Sequence, residues 1–165
     1  VGQAEEGIRG FWLCRGLGEV YKGQLQRVTA ADVEVAGETV GRVEAGMRLL
    51  VGVERDDEEA TARRLAERVA GYRVFSDADG KMNLDVRDTG GGALVVPQFT
   101  LAADTGKGRR PSFSGAAEPA RGRQLYEIFV AALKDQGVPV ATGRFGADMQ
   151  VHLVKDGPVT FVIDL

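Results

Sequence analysis

One cysteine and one histidine in 165 residues leave little for redox or metal chemistry. Cys14 has no second cysteine to bridge, and with His152 as the sole imidazole no Cys/His cluster has zinc-ligand spacing. Neither a disulfide, a metal nor any other cofactor is therefore expected. Long hydrophobic runs are also missing. Nothing approaches the roughly 18 apolar residues of a membrane span, and no charged segment followed by an apolar one marks a secretory leader. The expected address is cytoplasmic, with no membrane partner. Positive charge is not in excess either: 21 Lys and Arg face 24 Asp and Glu, for a net charge of −3 and a pI near 5.3. Coating nucleic acid nonspecifically rests on many neutralised phosphates, which this balance does not supply. A nucleic-acid partner has to be met locally.

What is present is ample for one core, since 44% of the residues are hydrophobic. Residues 1–21 show neither alternation nor helical periodicity and read as an N-terminal extension, and residues 22–165 read as a single domain. From Gln24 the pattern alternates through Leu25, Val28, Val33 and Val35 to a turn at Ala36-Gly37 and a return through Val40 and Val43, which predicts a hairpin. Met47 to Val53 follows as a buried strand. Asp56-Asp57-Glu58-Glu59 predicts a capped, acidic first turn for a helix whose Ala62, Leu65, Ala66, Val69 and Ala70 form one apolar stripe. Short strands are expected at Tyr72 to Phe75, Leu84 to Val86 and Ala93 to Leu101. A second helix carries Leu125, Ile128, Phe129, Ala132 and Leu133 and ends near Gly137. Strands at Val138 to Thr142, Met149 to Val154 and Val159 to Leu165 close the chain. The sum is an α+β domain in which a curled, mainly antiparallel, barrel-like sheet packs against two amphipathic helices.

Familiar catalytic devices are missing. No Gly-x-Ser-x-Gly turn accompanies His152, which reads as a solvent-facing strand residue because Val151 and Leu153 point to the other sheet face. Cys14 adjoins no base or cationic cluster and does not read as a reactive thiol. There is no Walker lysine pattern and no Gly-x-Gly-x-x-Gly turn. One local basic feature stands out: Lys107, Arg109 and Arg110 form a compact loop, readable either as a phosphate contact or as a solvated surface.

Two motifs, Pro97-Gln98-Phe99-Thr100-Leu101 and Asp156-Gly157-Pro158-Val159-Thr160, resemble in combination and order the two signatures of D-aminoacyl-tRNA deacylases. The resemblance extends to Gln26-Arg27-Val28, Gly80-Lys81-Met82-Asn83-Leu84, Arg110-Pro111-Ser112-Phe113-Ser114 and the segment from Thr142 to Met149, so it covers the chain from residue 22 onward. It implies a cofactor-free homodimer with its active site at the interface, bound to the acceptor end of aminoacyl-tRNA. The reaction implied is hydrolysis of the ester of a D-amino acid, or of glycine mischarged on tRNA-Ala. Main-chain donors of Gln98, Phe99 and Thr100 would hold the ester carbonyl, Thr100 positioning rather than attacking. Gly157-Pro158 would be a cis dipeptide excluding L side chains from the partner's pocket, with Arg27 supporting it. Phe145 and Met149 would grip the terminal adenosine.

Two positions depart from the resemblance. The family usually has Ser where Pro97 stands and Asn where Lys155 stands. A related animal deacylase of relaxed chirality also has Pro there but usually lacks the Phe that Phe99 retains. Strict D-selectivity is therefore the leading expectation, with relaxed chirality, or a non-catalytic nucleic-acid-binding module on the same fold, as alternatives.

Overall fold

Alternating apolar residues from Leu25 onward fold into a long central strand, β1 (Lys22–Val35), around which the sheet is built. The computed structural model describes residues 22–164, so the proposed extension and Cys14 lie outside the described residues. Strands β2 (Glu38–Val43) and β3 (Gly46–Gly52) follow, then helix α1 (Glu59–Gly71) and the small hairpin β4 (Phe75–Ser76) and β5 (Met82–Leu84). Strand β6 (Gly92–Pro97) leads into a 3-10 turn (Phe99–Ala102), and helix α2 (Pro119–Asp135), β7 (Val140–Thr142) and β8 (Gln150–Asp164) complete the order.

Antiparallel partners flank β1 on both edges. Its first half pairs with β3 and its second half with β2, while β8 runs along the other edge. Strands β3, β6 and β7 then continue the sheet in parallel. The expected mainly antiparallel, barrel-like α+β fold is thus found, with a parallel section that periodicity does not reveal. Curling brings β2 against β7, where a Cβ added at Gly41 would collide with the Thr142 carbonyl. Only glycine permits that approach.

Two apolar layers result. On one face, Leu25, Met47, Leu49 and Val51 meet Leu65 and Val69 of α1 and Leu125, Phe129 and Leu133 of α2. On the concave face, Val28, Ala31 and Val33 meet Leu94 and Val96. Alternation sends Leu25 to the first layer and Val28 to the second, and a register shift between Val28 and Ala30 then brings Ala31 and Val33 to the same face as Val28. All five stripe residues expected on α1 are buried, whereas Ile128 of α2 is half-buried.

The side-chain cap expected before α1 does not form, while Glu59 supplies the expected acidic first turn. Glu58 occupies the cap position without a side-chain hydrogen bond, and the Asp57 carboxylate instead accepts the Glu54 N–H at 2.6 Å. Helix α2 opens on Pro119, whose missing N–H costs nothing in the first turn, and ends before Gly137 at φ 85°. The strand expected to run to Leu101 stops at Pro97. Those expected at Met149 to Val154 and Val159 to Leu165 merge into β8, whose register with β1 shifts where Gly157-Pro158 passes Arg27.

Candidate functional site

The 3-10 turn after β6 is suspended from the core. The Gln98 N–H donates to the Val51 carbonyl at the end of β3 at 2.8 Å, and a Cβ added at Gly52 would come within 2.8 Å of Leu101 Cβ. The turn closes through Leu101 N–H to Gln98 O at 3.2 Å and Ala103 N–H to Thr100 O at 3.1 Å. Phe99 and Thr100 precede the first of these bonds, so their N–H groups have no acceptor within the turn. None is found elsewhere among the described residues. Gln98 therefore has its main-chain donor engaged, while Phe99 and Thr100 keep theirs. The Gln98 side-chain amide donates to the Thr100 hydroxyl.

Beside this turn lies an apolar cleft of about 300 Å³ lined by Val53, Pro97, Phe99, Pro119, Gly122 and Phe145, among others. Phe99 is 62% exposed at its edge, its ring 5.1 Å from that of Phe113. Phe145 is wedged between Arg123, whose guanidinium lies 5.5 Å over the ring, and Tyr126 at 6.1 Å. The Tyr126 hydroxyl donates to the Val95 carbonyl at 2.8 Å, and burial, aided by the Glu127 carboxylate, raises its pKa so that it stays a donor. Met149 reaches the same region: a Cβ at Gly143 would lie 2.8 Å from its sulfur and 3.5 Å from Pro97 Cδ.

Pro97 costs the sheet no hydrogen bond. Since Gln98 N–H points to β3, the preceding nitrogen points to the β7 side, beyond the last β6–β7 pair at Val95 and Thr142. It contributes a rigid wall to the cleft.

Gly157-Pro158 is a cis peptide, with Gly157 at φ 119° and both residues exposed on β8. Arg27 supports the segment: its Nε donates to the Asp156 carbonyl at 3.2 Å and pairs with the Asp156 carboxylate at 3.3 Å, while another guanidinium nitrogen donates to the Val74 carbonyl at 2.8 Å. A Cβ at Gly157 would come within 2.9 Å of that guanidinium.

Within one chain the candidate residues fall into two groups. Gln98, Phe99, Thr100, Phe145 and Met149 gather around the cleft, whereas Gly157-Pro158 on β8 lies across β1 from β3 and β6, with Arg27 of β1 reaching toward it. Lys107, Arg109 and Arg110 are exposed on the loop that ends at Phe113, and none forms an ion pair among the described residues. Backbone bonds between Asp104 and Ser112, at 2.7 and 2.8 Å, pinch that loop at its base. His152 is exposed, as its strand alternation predicts. Sequence reasoning singles out neither the Val74 carbonyl, because a backbone acceptor has no side-chain signature, nor the role of Phe113 as the ring beside Phe99.

The sequence model of the D-Tyr-tRNA(Tyr) deacylase family matches residues 24–164. The D-aminoacyl-tRNA deacylase of Alcanivorax borkumensis is 57% identical over 141 residues, covering 86% of this chain and 97% of the relative. That of Salmonella typhimurium is 60% identical over 137 residues, 83% of this chain and 94% of the relative. Among solved structures, the c-Myc DNA unwinding element binding protein superposes with a TM-score of 0.81 at 34% identity over 86% of this chain and 97% of its own. A probable eukaryotic D-amino acid tRNA deacylase shares the fold with a TM-score of 0.77 at 18% identity, covering 88% of this chain and all of its own. The chain belongs to the D-Tyr-tRNA(Tyr) deacylase family.

Proposed function

We propose that the protein is a D-aminoacyl-tRNA deacylase that hydrolyses its ester through main-chain donors rather than side-chain acids and bases. Water adds to the ester carbonyl, the bond to the terminal ribose oxygen breaks, and that oxygen leaves with a proton, giving a free D-amino acid and tRNA. The observation that carries this reading is the pair of N–H groups at Phe99 and Thr100 that find no acceptor, beside an apolar cleft. Such donors stabilise a developing oxyanion, each by about 2.7–4 kcal/mol. An aminoacyl ester is already activated, so positioning a water contributes much of the rest.

Residues 22–165 form the deacylase unit and residues 1–21 an extension to it. The unit works as a homodimer in the cytoplasm, with the active site at the interface. Support for the dimer comes from β8, which exposes Val154, Phe161 and Val162 on the strand that carries Gly157-Pro158. In the partner's cleft, Gly157-Pro158 would leave no room for an L side chain while admitting D-amino acids and the glycine of mischarged tRNA-Ala. Phe145 and Met149 hold the terminal adenosine by stacking and packing. Lys107, Arg109 and Arg110 meet the acceptor-stem phosphates.

The test is ester loss from D-Tyr-tRNA and L-Tyr-tRNA incubated with purified protein. Equal rates, or none, would sink the reading. Binding of deacylated tRNA or DNA without turnover would instead favour a non-catalytic nucleic-acid module, a reading that the basic loop and the departures at Pro97 and Lys155 raise and that the name of the 34% identical DNA unwinding element binding protein favours. Cleavage of L-Ala-tRNA that disappears in Pro97→Ser would favour relaxed chirality.

A further inference from the structure

A second cluster of functional groups involves none of the residues that line the cleft. Asp32 and Glu34 stand two residues apart on β1, so their side chains share a face, and His152 of β8 is the register partner of Asp32. One imidazole nitrogen and one oxygen from each carboxylate lie within 4.8 Å of one another. Both carboxylates are half-buried and the imidazole is exposed. No hydrogen bond or ion pair engages any of the three side chains among the described residues. Arg42, the partner of Asp32 on β2, is exposed and does not pair with it. Two carboxylates side by side repel one another, which a cation between them would relieve.

We propose that Asp32, Glu34 and His152 form a binding site for a divalent transition cation of the zinc type. An imidazole nitrogen with two carboxylate oxygens suits zinc, copper, nickel or iron, whereas calcium and magnesium favour oxygen donors alone. A tetrahedral ion holding donors at about 2.1 Å sets them about 3.4 Å apart. Closing the remaining gap takes rotamer changes in an exposed His and a half-buried Glu, with the strands in place. A fourth position stays open to water.

The ion would clamp the second half of β1 to β8, where Asp32 pairs with His152 and Glu34 with Gln150. None of its three donors is among the residues placed at the ester, so the site acts on the β1–β8 pair.

Metal-stripped, untagged full-length protein titrated with zinc chloride tests this by calorimetry and by imidazole NMR. His152 is the only histidine of the chain, so its ring signals report this site alone. One zinc per chain is expected to bind with micromolar affinity or tighter, moving the His152 resonances and raising Tm. His152→Ala and the pair Asp32→Asn with Glu34→Gln should each weaken binding about tenfold or more, while His152→Ala still deacylates D-Tyr-tRNA at the wild-type rate. No heat and no ring shift up to about 1 mM zinc, or equal affinity in wild type and His152→Ala, would overturn the proposal. Failure of deacylation in all forms would count against the proposed activity and leave the zinc result standing on its own.

Discussion

Thr100 bears the only hydroxyl of the turn after β6, and the Gln98 amide donates to it. With no adjacent base, that hydroxyl is a weak nucleophile at neutral pH. Thr100→Val removes the oxygen but keeps the backbone donor, so single-turnover hydrolysis of D-Tyr-tRNA is expected to slow about tenfold or less, against the roughly 10²–10³-fold typical of removing an oxyanion donor. A fall of about 10⁴-fold or more would make Thr100 the attacking group. Arg48 offers a test of stability at the same scale. It is 7% exposed, its Nε lacks a partner among the described residues, and its one hydrogen bond runs to Gln24 at 3.2 Å. Burial lowers its pKa, the sign of a charge that loses hydration on folding. Arg48→Leu should therefore stabilise the fold by about 1 kcal/mol, read as a higher urea midpoint at unchanged slope.

Strand β8 depends on β1 for more than its ladder. Arg27 reaches out of β1 to fasten both the Asp156 segment and the Val74 carbonyl, so Arg27→Met releases two elements together. Hydrogen bonds from a charged donor contribute about 1.5–3 kcal/mol, and a stability loss of that size is expected. The ratio of D-Tyr-tRNA to L-Tyr-tRNA cleavage should fall in the same variant, because Gly157-Pro158 loses its support. Elements differ in how plainly the sequence announces them, and the reasons are local. The α1 stripe follows from periodicity because it buries one face against a single layer, and the β1–β2 hairpin because its alternation is broken by a turn at Ala36-Gly37. The stretch from Ala93 to Leu101 reads as unbroken strand, yet its end is set by the last β7 partner and by capture on Val51, neither of which is visible in one dimension. The strand expected over Leu84 to Val86 ends at Leu84 because the Asp85 carboxylate accepts the N–H groups of Arg87 and Asp88 and turns the chain. At the site, the 98–100 and 157–158 segments are legible as motifs. The engaged Gln98 N–H and the meeting of Asp32, Glu34 and His152 are not, because strand pairing makes both.

Across the whole molecule, the proposed contact with tRNA phosphates falls on an exposed basic loop of an acidic chain. Replacing Lys107, Arg109 and Arg110 together with Ala should raise KM for D-Tyr-tRNA and leave kcat within a factor of about two. The slope of log(kcat/KM) against log[salt] should shrink by about 2 to 3, one step for each phosphate that is no longer neutralised. An unchanged slope would assign tRNA binding to another surface. The hydrogen bond from Gln98 to Val51 carries a different consequence at this scale. Because the turn proposed to hold the ester is anchored on a strand buried between both apolar layers, it cannot loosen while the rest of the molecule stays folded. On heating, deacylation and near-ultraviolet circular dichroism should then vanish in one transition, with D-preference constant up to its onset. A proofreading enzyme built this way fails silent: heat damage removes molecules from service without producing a careless form that strips correctly charged tRNA.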